Sequence, residues 1–199
     1  MPQPFNERRI ADLIAESVAT KQQLAAERTS DIRICGEMLA TCAASNRLIM
    51  FCGNGGSAAD SQHLAAELVV RLRGGIERRA IAALALTVDT SVLTAGGNDY
   101  GFDNVFKRQV EAFGTEGDVL VAITTSGTSK NIVMAVEEAK KRGVLTIGLL
   151  GGSGGVLKDM CDASVVVPST VTARIQESHI LIGHIWCEMI EEAIAPELF

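Results

Sequence analysis

The segment Phe51-Cys-Gly-Asn54-Gly55-Gly56-Ser57-Ala-Ala-Asp-Ser-Gln-His63-Leu-Ala-Ala-Glu67 joins a glycine-rich turn to a helical run that carries a histidine and a carboxylate four residues apart. That spacing puts both side chains on one helical face, with Cβ atoms about 5–6 Å apart. His63 and Glu67 can therefore form one side of a site that binds a metal or moves protons. The apolar run 48–52 before the turn reads as a strand buried on both faces. Gly53, Gly55 and Gly56 let the backbone turn sharply and come close to a ligand. Ser57 is expected to cap the following helix, whose free N–H groups and positive dipole end favour phosphate. The turn has neither the Gly-Lys-Ser/Thr of a Walker A loop nor the full GxGxxG of dinucleotide folds. Taken alone it is also compatible with a plain strand-to-helix turn, and the His/Glu pair with a surface or core contact.

A second turn of the same kind lies further along. The run 118–124 is short and rich in β-branched residues, and it is followed by Thr125-Ser126-Gly127-Thr128-Ser129 and a helical stretch 131–141. Hydroxyls of Thr124, Thr125, Ser126, Thr128 and Ser129, with the amides of the turn, offer many donors at a helix N-terminus. Such a turn can also serve only as turn and cap. Two of them after parallel-type strands put the expected ligand site in the crevice at the carboxyl ends of the strands. A third cluster, Thr172-Ala-Arg174-Ile-Gln176-Glu177-Ser-His179-Ile-Leu-Ile-Gly-His184, holds the other two of the chain's three histidines, again beside carboxylates or amides.

These groups need a scaffold, and the pattern supplies one: strand 48–52, helix 57–70, a short apolar run 80–86, helix 103–113, strand 119–124, helix 130–142, strand 144–149, strand 163–167 and helix 171–194. Such alternation gives a doubly wound, mostly parallel α/β sheet flanked by helices. Thr94-Ala-Gly-Gly-Asn98-Asp99-Tyr-Gly reads as a polar loop at the same end of the sheet, placed where sugar hydroxyls would need partners. Residues 7–45 contain no proline and only Gly36, with Ile10, Leu13, Ile14, Val18 and Leu24 at helical spacing. Two helices are expected there, broken near Thr29-Ser30-Asp31. An arm of this length has little core to cover in its own subunit and is expected to pack on another copy.

With 199 residues, 47% of them hydrophobic, and no Pro-rich or Ser/Gly-rich linker, the chain reads as one domain, 1–199, with a helical oligomerisation arm at 1–45 and an α/β core at 46–199. A net charge of −6 without a basic cluster argues against a nucleic-acid surface. A phosphorylated ligand would then be held more by backbone and hydroxyl groups than by cations. Nothing resembles a signal peptide or a membrane span, so the expected location is cytoplasmic. Five cysteines without CxxC spacing indicate neither a disulfide framework nor a thiolate metal site.

Cys52-Gly-Asn54-Gly55-Gly56-Ser57, Gly97-Asn98-Asp99-Tyr-Gly-Phe, Thr124-Thr125-Ser126-Gly127-Thr128-Ser129 and Arg174-Ile-Gln176-Glu177-Ser-His-Ile-Leu-Ile-Gly-His184 together resemble the signature blocks of the sugar isomerase (SIS) domain family, in particular its phosphoheptose isomerases. The likeness runs over nearly the whole chain, and its most specific part is the pairing of His63-xxx-Glu67 with Gln176-x7-His184. The resemblance implies conversion of sedoheptulose 7-phosphate to D-glycero-D-manno-heptose 7-phosphate, an early step toward the heptose of lipopolysaccharide or capsule. It also implies a homotetramer and one zinc per subunit, held by His63, Glu67, Gln176 and His184. Substrate contacts implied by position are Asn54, Gly55, Gly56, Ser57, Asn98, Asp99, Thr124, Thr125, Ser126 and Ser129, with Glu67 and Gln176 also reaching the sugar. Thr124 stands where relatives commonly have Ser, which keeps the hydroxyl.

An aldose–ketose isomerisation moves a proton between adjacent carbons through an enediol, so it needs a base at carbon and an acid or metal at the oxygens. Glu67 is the candidate carbon base and His184 the proton donor or acceptor at oxygen. Gln176 and His184 are separated by about 12 Å of helix rise and about 80° around the axis, which suggests that one of them is supplied by a neighbouring subunit. Two other readings stay open: a non-enzymatic SIS binding or regulatory module, and an isomerase of another phosphosugar such as arabinose 5-phosphate.

Overall fold

The computed structural model describes residues 6–199. Residues 1–5, which begin the expected arm and the N-terminal stretch read for a signal peptide, lie outside the described residues. Five strands, β1 (Ile49–Gly53), β2 (Ala83–Ala85), β3 (Val119–Thr124), β4 (Leu145–Gly151) and β5 (Ala163–Val167), form one sheet in the order β2-β1-β3-β4-β5, with every pairing parallel. The helices are α1 (Glu7–Ala44), α2 (Gly56–Val69), α3 (Thr90–Tyr100), α4 (Val105–Phe113), α5 (Lys130–Lys141), α6 (Leu157–Met160) and α7 (Thr172–Ile194). This is the doubly wound sheet that the alternation predicts.

Successive strand residues feed two separate cores, because side chains alternate across a sheet. Ile49, Phe51, Val121 and Ile123 join α1, α2 and α7 on one face. Met50, Cys52, Leu120 and Ala122 join α4, α5 and Leu157 on the other. Every residue of β1 and β3 is buried, as expected of central parallel strands covered on both sides. From β1 the chain runs outward to β2, then crosses back to β3 on the far side. The strand order therefore reverses between β1 and β3, and α2 and α5 leave that point on opposite faces of the sheet. The resulting crevice at the carboxyl ends is where this fold binds ligands.

Three expectations about the elements are corrected. The break near Thr29-Ser30-Asp31 does not occur: α1 is one continuous helix of 38 residues. Thr29 turns its hydroxyl back onto the Ala25 carbonyl at 2.5 Å instead of capping a new helix, and Leu24, Ile32, Cys35 and Leu39 continue one buried stripe through the predicted break. The second half of α1 also finds its core within its own subunit, packing on α7 and β5, with the Trp186 indole donating to the Ile32 carbonyl at 2.9 Å. The first half is also tied to α7, with Arg174 donating to the Leu13 carbonyl at 2.8 Å and Ser17 to Glu177 at 2.7 Å, while Ile10, Ile14 and Val18 stay exposed. The stretch read as a loop around Asn98 and Asp99 is helix α3. Asp89 caps it by accepting the Val92 N–H at 2.9 Å, and that cap offsets the cost of Gly96 and Gly97 inside.

Candidate active site

The first turn is shaped by glycine. A Cβ on Gly53 would lie 2.5 Å from the Ser57 carbonyl oxygen, and Gly55, with φ +56°, is the N-cap of α2. Ser57 is therefore not the cap that the sequence suggests. It sits one residue inside the helix, buried, with its N–H donating to the Asn54 carbonyl at 3.0 Å. Gly56 leaves room for another element: a Cβ there would come within 2.5 Å of the Gln176 amide nitrogen on α7.

The second turn is shaped by hydroxyls. Thr124 Oγ1 lies 3.4 Å from Ser126 Oγ and 3.2 Å from Ser129 Oγ, while Thr128 donates to Ser126 Oγ through its N–H at 3.3 Å and its hydroxyl at 3.1 Å. Ser129 is the N-cap of α5, whose first-turn N–H groups have no partners within the helix. Gly127, at φ +68°, lets the turn cross the backbone of Gly154 and Gly155 in direct contact, where any side chain would collide. The Leu157 N–H donates to the Gly127 carbonyl at 3.2 Å and pins the crossing.

Asn54, Ser57, Ile123, Thr124, Thr125, Ser126, Ser129 and Gln176 line one pocket in the crevice. The two turns and α7 thus meet as the sequence pattern requires. The lining contains no Lys or Arg, which fits an anion held by hydroxyls, amides and helix dipole. Asn98 and Asp99 do not line this pocket. They are exposed at the end of α3, where Asn98 Nδ2 donates to Asp99 Oδ1 at 2.7 Å.

α2 and α7 run side by side in the same direction, so that Gly56 faces Gln176 and Leu64 faces Gly183. A Cβ on Gly183 would lie 2.5 Å from Leu64 Cδ2, so its absence sets how closely the helices approach. The result is a convergence further along the two helices. His63 Nε2 lies 2.8 Å from His184 Nε2 and 3.4 Å from Glu67 Oε1. Among the described residues, this trio is the group of histidines, cysteines and carboxylates arranged to hold a metal, with one ligand atom from each within 4.8 Å of the others. All three come from one chain, so His184 need not be supplied by a neighbour as its spacing from Gln176 suggested.

The donor set fits a cation such as zinc, which takes imidazole nitrogen and carboxylate oxygen at about 2.0–2.2 Å. Two nitrogens on one tetrahedral zinc stand about 3.3 Å apart, so a few tenths of an ångström of opening between His63 and His184 would admit the ion. Asp60, one turn before His63, has its carboxyl pushed up to about 6 by burial, with His63 pulling the other way.

His179 belongs elsewhere. It is fully buried, its Nε2 lies 3.0 Å from the Leu150 carbonyl, and burial pushes its pKa down to about 4, opposed by that hydrogen bond. Three residues that sequence reasoning passed over also shape the site: Gly183, Arg78 and Glu191. The fully buried Glu191 carboxylate accepts from Leu72 N at 3.1 Å, Arg73 Nε at 3.0 Å and Arg78 Nε at 2.9 Å. Arg78 in turn donates to the Glu67 carbonyl at 2.7 Å and the Leu68 carbonyl at 3.0 Å, tying down the end of α2 that carries Glu67. Of the three, Gly183 alone carries a local signal, a glycine inside a long helical pattern, which commonly marks close packing.

The SIS domain family matches residues 12–151. A phosphoheptose isomerase from Leptospira biflexa serovar Patoc is 50% identical over 185 residues, covering 93% of this chain and 95% of that protein. The chain belongs to the SIS-domain family, among the phosphoheptose isomerases. It is a phosphosugar isomerase by that membership. A phosphoheptose isomerase from Nitratiruptor sp. is 62% identical over 149 residues, 75% of this chain and 79% of that protein. The solved structure of a phosphoheptose isomerase from Neisseria gonorrhoeae superposes with a TM-score of 0.87 at 46% identity, covering 94% of this chain and 98% of that one. Among the described residues, no helix is long and apolar enough to cross a membrane.

Proposed function

We propose that this SIS-domain isomerase interconverts sedoheptulose 7-phosphate and D-glycero-D-manno-heptose 7-phosphate, in the cytoplasm, for lipopolysaccharide or capsule heptose. The observation that carries this reading is the convergence of His63, Glu67 and His184 between α2 and α7, whose N-terminal ends bring Gly56 and Gln176 to the two-turn pocket. By helix rise the cluster and the pocket are about 9–12 Å apart, a separation that suits a molecule with phosphate at one end, a carbonyl at the other and a polyol chain between.

In this reading the 124–129 turn grips the phosphate through Thr124, Thr125, Ser126 and Ser129. Asn54, Gly55, Gly56, Ser57 and Gln176 hold the sugar, with Asn98 and Asp99 taking further hydroxyls. Glu67 removes the proton from one carbon and returns it to the neighbouring carbon, and His184 moves the proton between the corresponding oxygens. His63, Glu67 and His184 would hold one zinc per subunit, with Gln176, which lies against Gly56 in its own chain, completing the set as a ligand from a neighbouring subunit; the ion would supply an electrophile for the charge that develops on the substrate oxygens. Glu67 has a second carboxylate oxygen with which to take a proton while the first faces the metal. His184 moves protons only through a ring nitrogen that carries no metal.

The working form is a homotetramer with active sites between subunits, built on one domain, 1–199, with its arm at 1–45 and its core at 46–199. Two features support an assembly: Ile10, Ile14 and Val18 are exposed along one face of α1, and α3 has no buried residue. The unpaired cysteines accord with a reducing compartment.

Protein purified without chelator is expected to carry about one zinc per subunit and to turn over sedoheptulose 7-phosphate faster than arabinose 5-phosphate. Full activity in chelated, metal-free protein would refute the zinc assignment. Turnover of arabinose 5-phosphate alone would reassign the substrate.

A further inference from the structure

The two turns of the crevice are joined by a pair of side-chain amides. Asn54 Nδ2 donates to Asn131 Oδ1 at 2.9 Å, and Asn131 Nδ2 donates to Asn54 Oδ1 at 2.8 Å. Asn54 belongs to the glycine turn after β1. Asn131 lies in the first turn of α5, two residues past its Ser129 N-cap, and is only 3% exposed. β1 and β3 are hydrogen-bonded neighbours up to Gly53 and Ile123, but beyond that point their chains part to opposite faces of the sheet. Backbone pairing therefore ends where the crevice begins, and the amide pair is a direct side-chain tie across its floor.

A polar side chain near a helix N-terminus ordinarily turns to the free N–H groups of its own helix or to water. Asn131 does neither and is buried to reach a partner 77 residues away. Each amide has two N–H donors and two lone pairs, so the reciprocal pairing uses half of each group. Asn54, half-buried at the edge of the pocket, keeps one N–H and one lone pair for a ligand, with its orientation fixed by Asn131.

We propose that Asn131 is a positioning residue, which through its amide clasp on Asn54 sets the separation of the phosphate turn from the turn that leads into α2. The inference rests on the phosphosugar reading of this pocket. If the clasp opens, the 124–129 turn and α2 move independently, and a ligand can satisfy one turn only at the expense of the other. Asp in place of Asn131 could accept but not donate, and would set a negative charge beside the anion turn.

The test measures inorganic phosphate binding by calorimetry, alongside KM and kcat for sedoheptulose 7-phosphate, zinc content and unfolding temperature. Asn131→Ala is expected to raise both the phosphate dissociation constant and KM about tenfold, with zinc content unchanged. The Asn54→Ala/Asn131→Ala double variant should bind phosphate within about twofold of the weaker single variant, because the two residues act as one unit. A purely structural pair would lower the unfolding temperature and leave the phosphate constant of the folded protein as in the wild type, which would overturn the proposal. So would fully additive losses in the double variant. Should Asn131→Ala not fold, Asn131→Ser, which removes the clasp but suits a helix N-terminus, must show the same rise. A wild type that turns over no phosphosugar, with phosphate binding still dependent on Asn131, would sink the functional reading and leave the clasp standing.

Discussion

Exposed and enclosed positions of α7 carry the same residue types and use them in opposite ways. At the exposed end of the contrast, His184 meets His63 and Glu67 in a cluster where the His63 side chain is 46% exposed. His179 and Glu191 are fully enclosed: the Glu191 carboxylate is fully bonded within the fold, whereas His179 bonds only through Nε2 and leaves Nδ1 unpartnered. His179 bonds the end of β4 and stays neutral, because enclosure without a counter-charge makes the imidazolium costly. Burial alone would raise the Glu191 carboxyl, but hydrogen bonds from Arg73, the Leu72 N–H and Arg78 hold it below the usual carboxylate range. Residue identity does not separate a reactive group from a structural one here. Solvent access and the number of fixed partners do.

This contrast is broken if substitutions in the exposed cluster alter stability, or substitutions at the enclosed positions alter only activity. The largest expected effect is in the exposed cluster. Glu67→Gln keeps the size and an oxygen toward the metal but removes the base, so turnover should fall about 10²–10⁴-fold. Its unfolding free energy should stay within about 1 kcal/mol of the wild type. Near-normal turnover in the folded variant would remove Glu67 from the mechanism.

Among the enclosed positions, Glu191→Ala leaves the almost fully enclosed Arg78 without its carboxylate, while Arg73 keeps Glu188 and Glu192 within 4.0 Å. Breaking a buried ion pair by removing one partner costs about 3–5 kcal/mol, which denaturant unfolding would read directly. Because Arg78 also holds the Glu67 carbonyl, some loss of zinc affinity should accompany it. A variant as stable as the wild type would show that the cluster contributes nothing net.

The smallest expected effect sharpens the comparison through pH. His179 has a folded pKa of about 4, below the 6.5 of an exposed histidine. The unfolded chain therefore binds the extra proton first, and the stability tied to neutral His179 is intact above pH 6.5 and lost as pH falls toward 4. The shift corresponds to about 3 kcal/mol at most across that window. Asp60, pushed up to about 6, acts with the opposite sign over part of the same range, so the measurement is a difference between proteins. Stability should fall less steeply between pH 6.5 and 4 in His179→Gln than in the wild type. Equal slopes would mean that His179 takes up its proton as readily in the folded protein as in the unfolded chain.

Much of the architecture was legible because it is written in short-range chemistry. Strands over 119–124 and 163–167 follow from uninterrupted apolar, β-branched runs, which only sheets covered on both faces accommodate. Helix α3 was hidden by Gly96 and Gly97, although Asp89-Thr90-Ser91 carried a capping signal just ahead of it. The false break in α1 has the converse origin. Thr29, Ser30 and Asp31 have capping chemistry, but a stripe of buried contacts on α7 outweighs it.

By itself the sequence determined the turns and the one-face pairing of His63 with Glu67, because glycine geometry and helical spacing act within a few residues. The resemblance to the family marked His184 as their partner, and the structure brings it to His63; Gln176, marked with it, lies against Gly56 instead. Only the tertiary structure decided which distant groups meet. His184 reaches His63 because Gly183 lets α7 close on Leu64, across 121 residues of chain. Asn131 finds Asn54 because β1 and β3 are neighbours whose helices diverge. His179 is silent because α7 turns it inward onto β4, and no local pattern distinguishes it from the histidine five residues later. Those outcomes depend on how closely helices pack and which strands lie side by side, and such quantities arise only once the whole chain has chosen its layers.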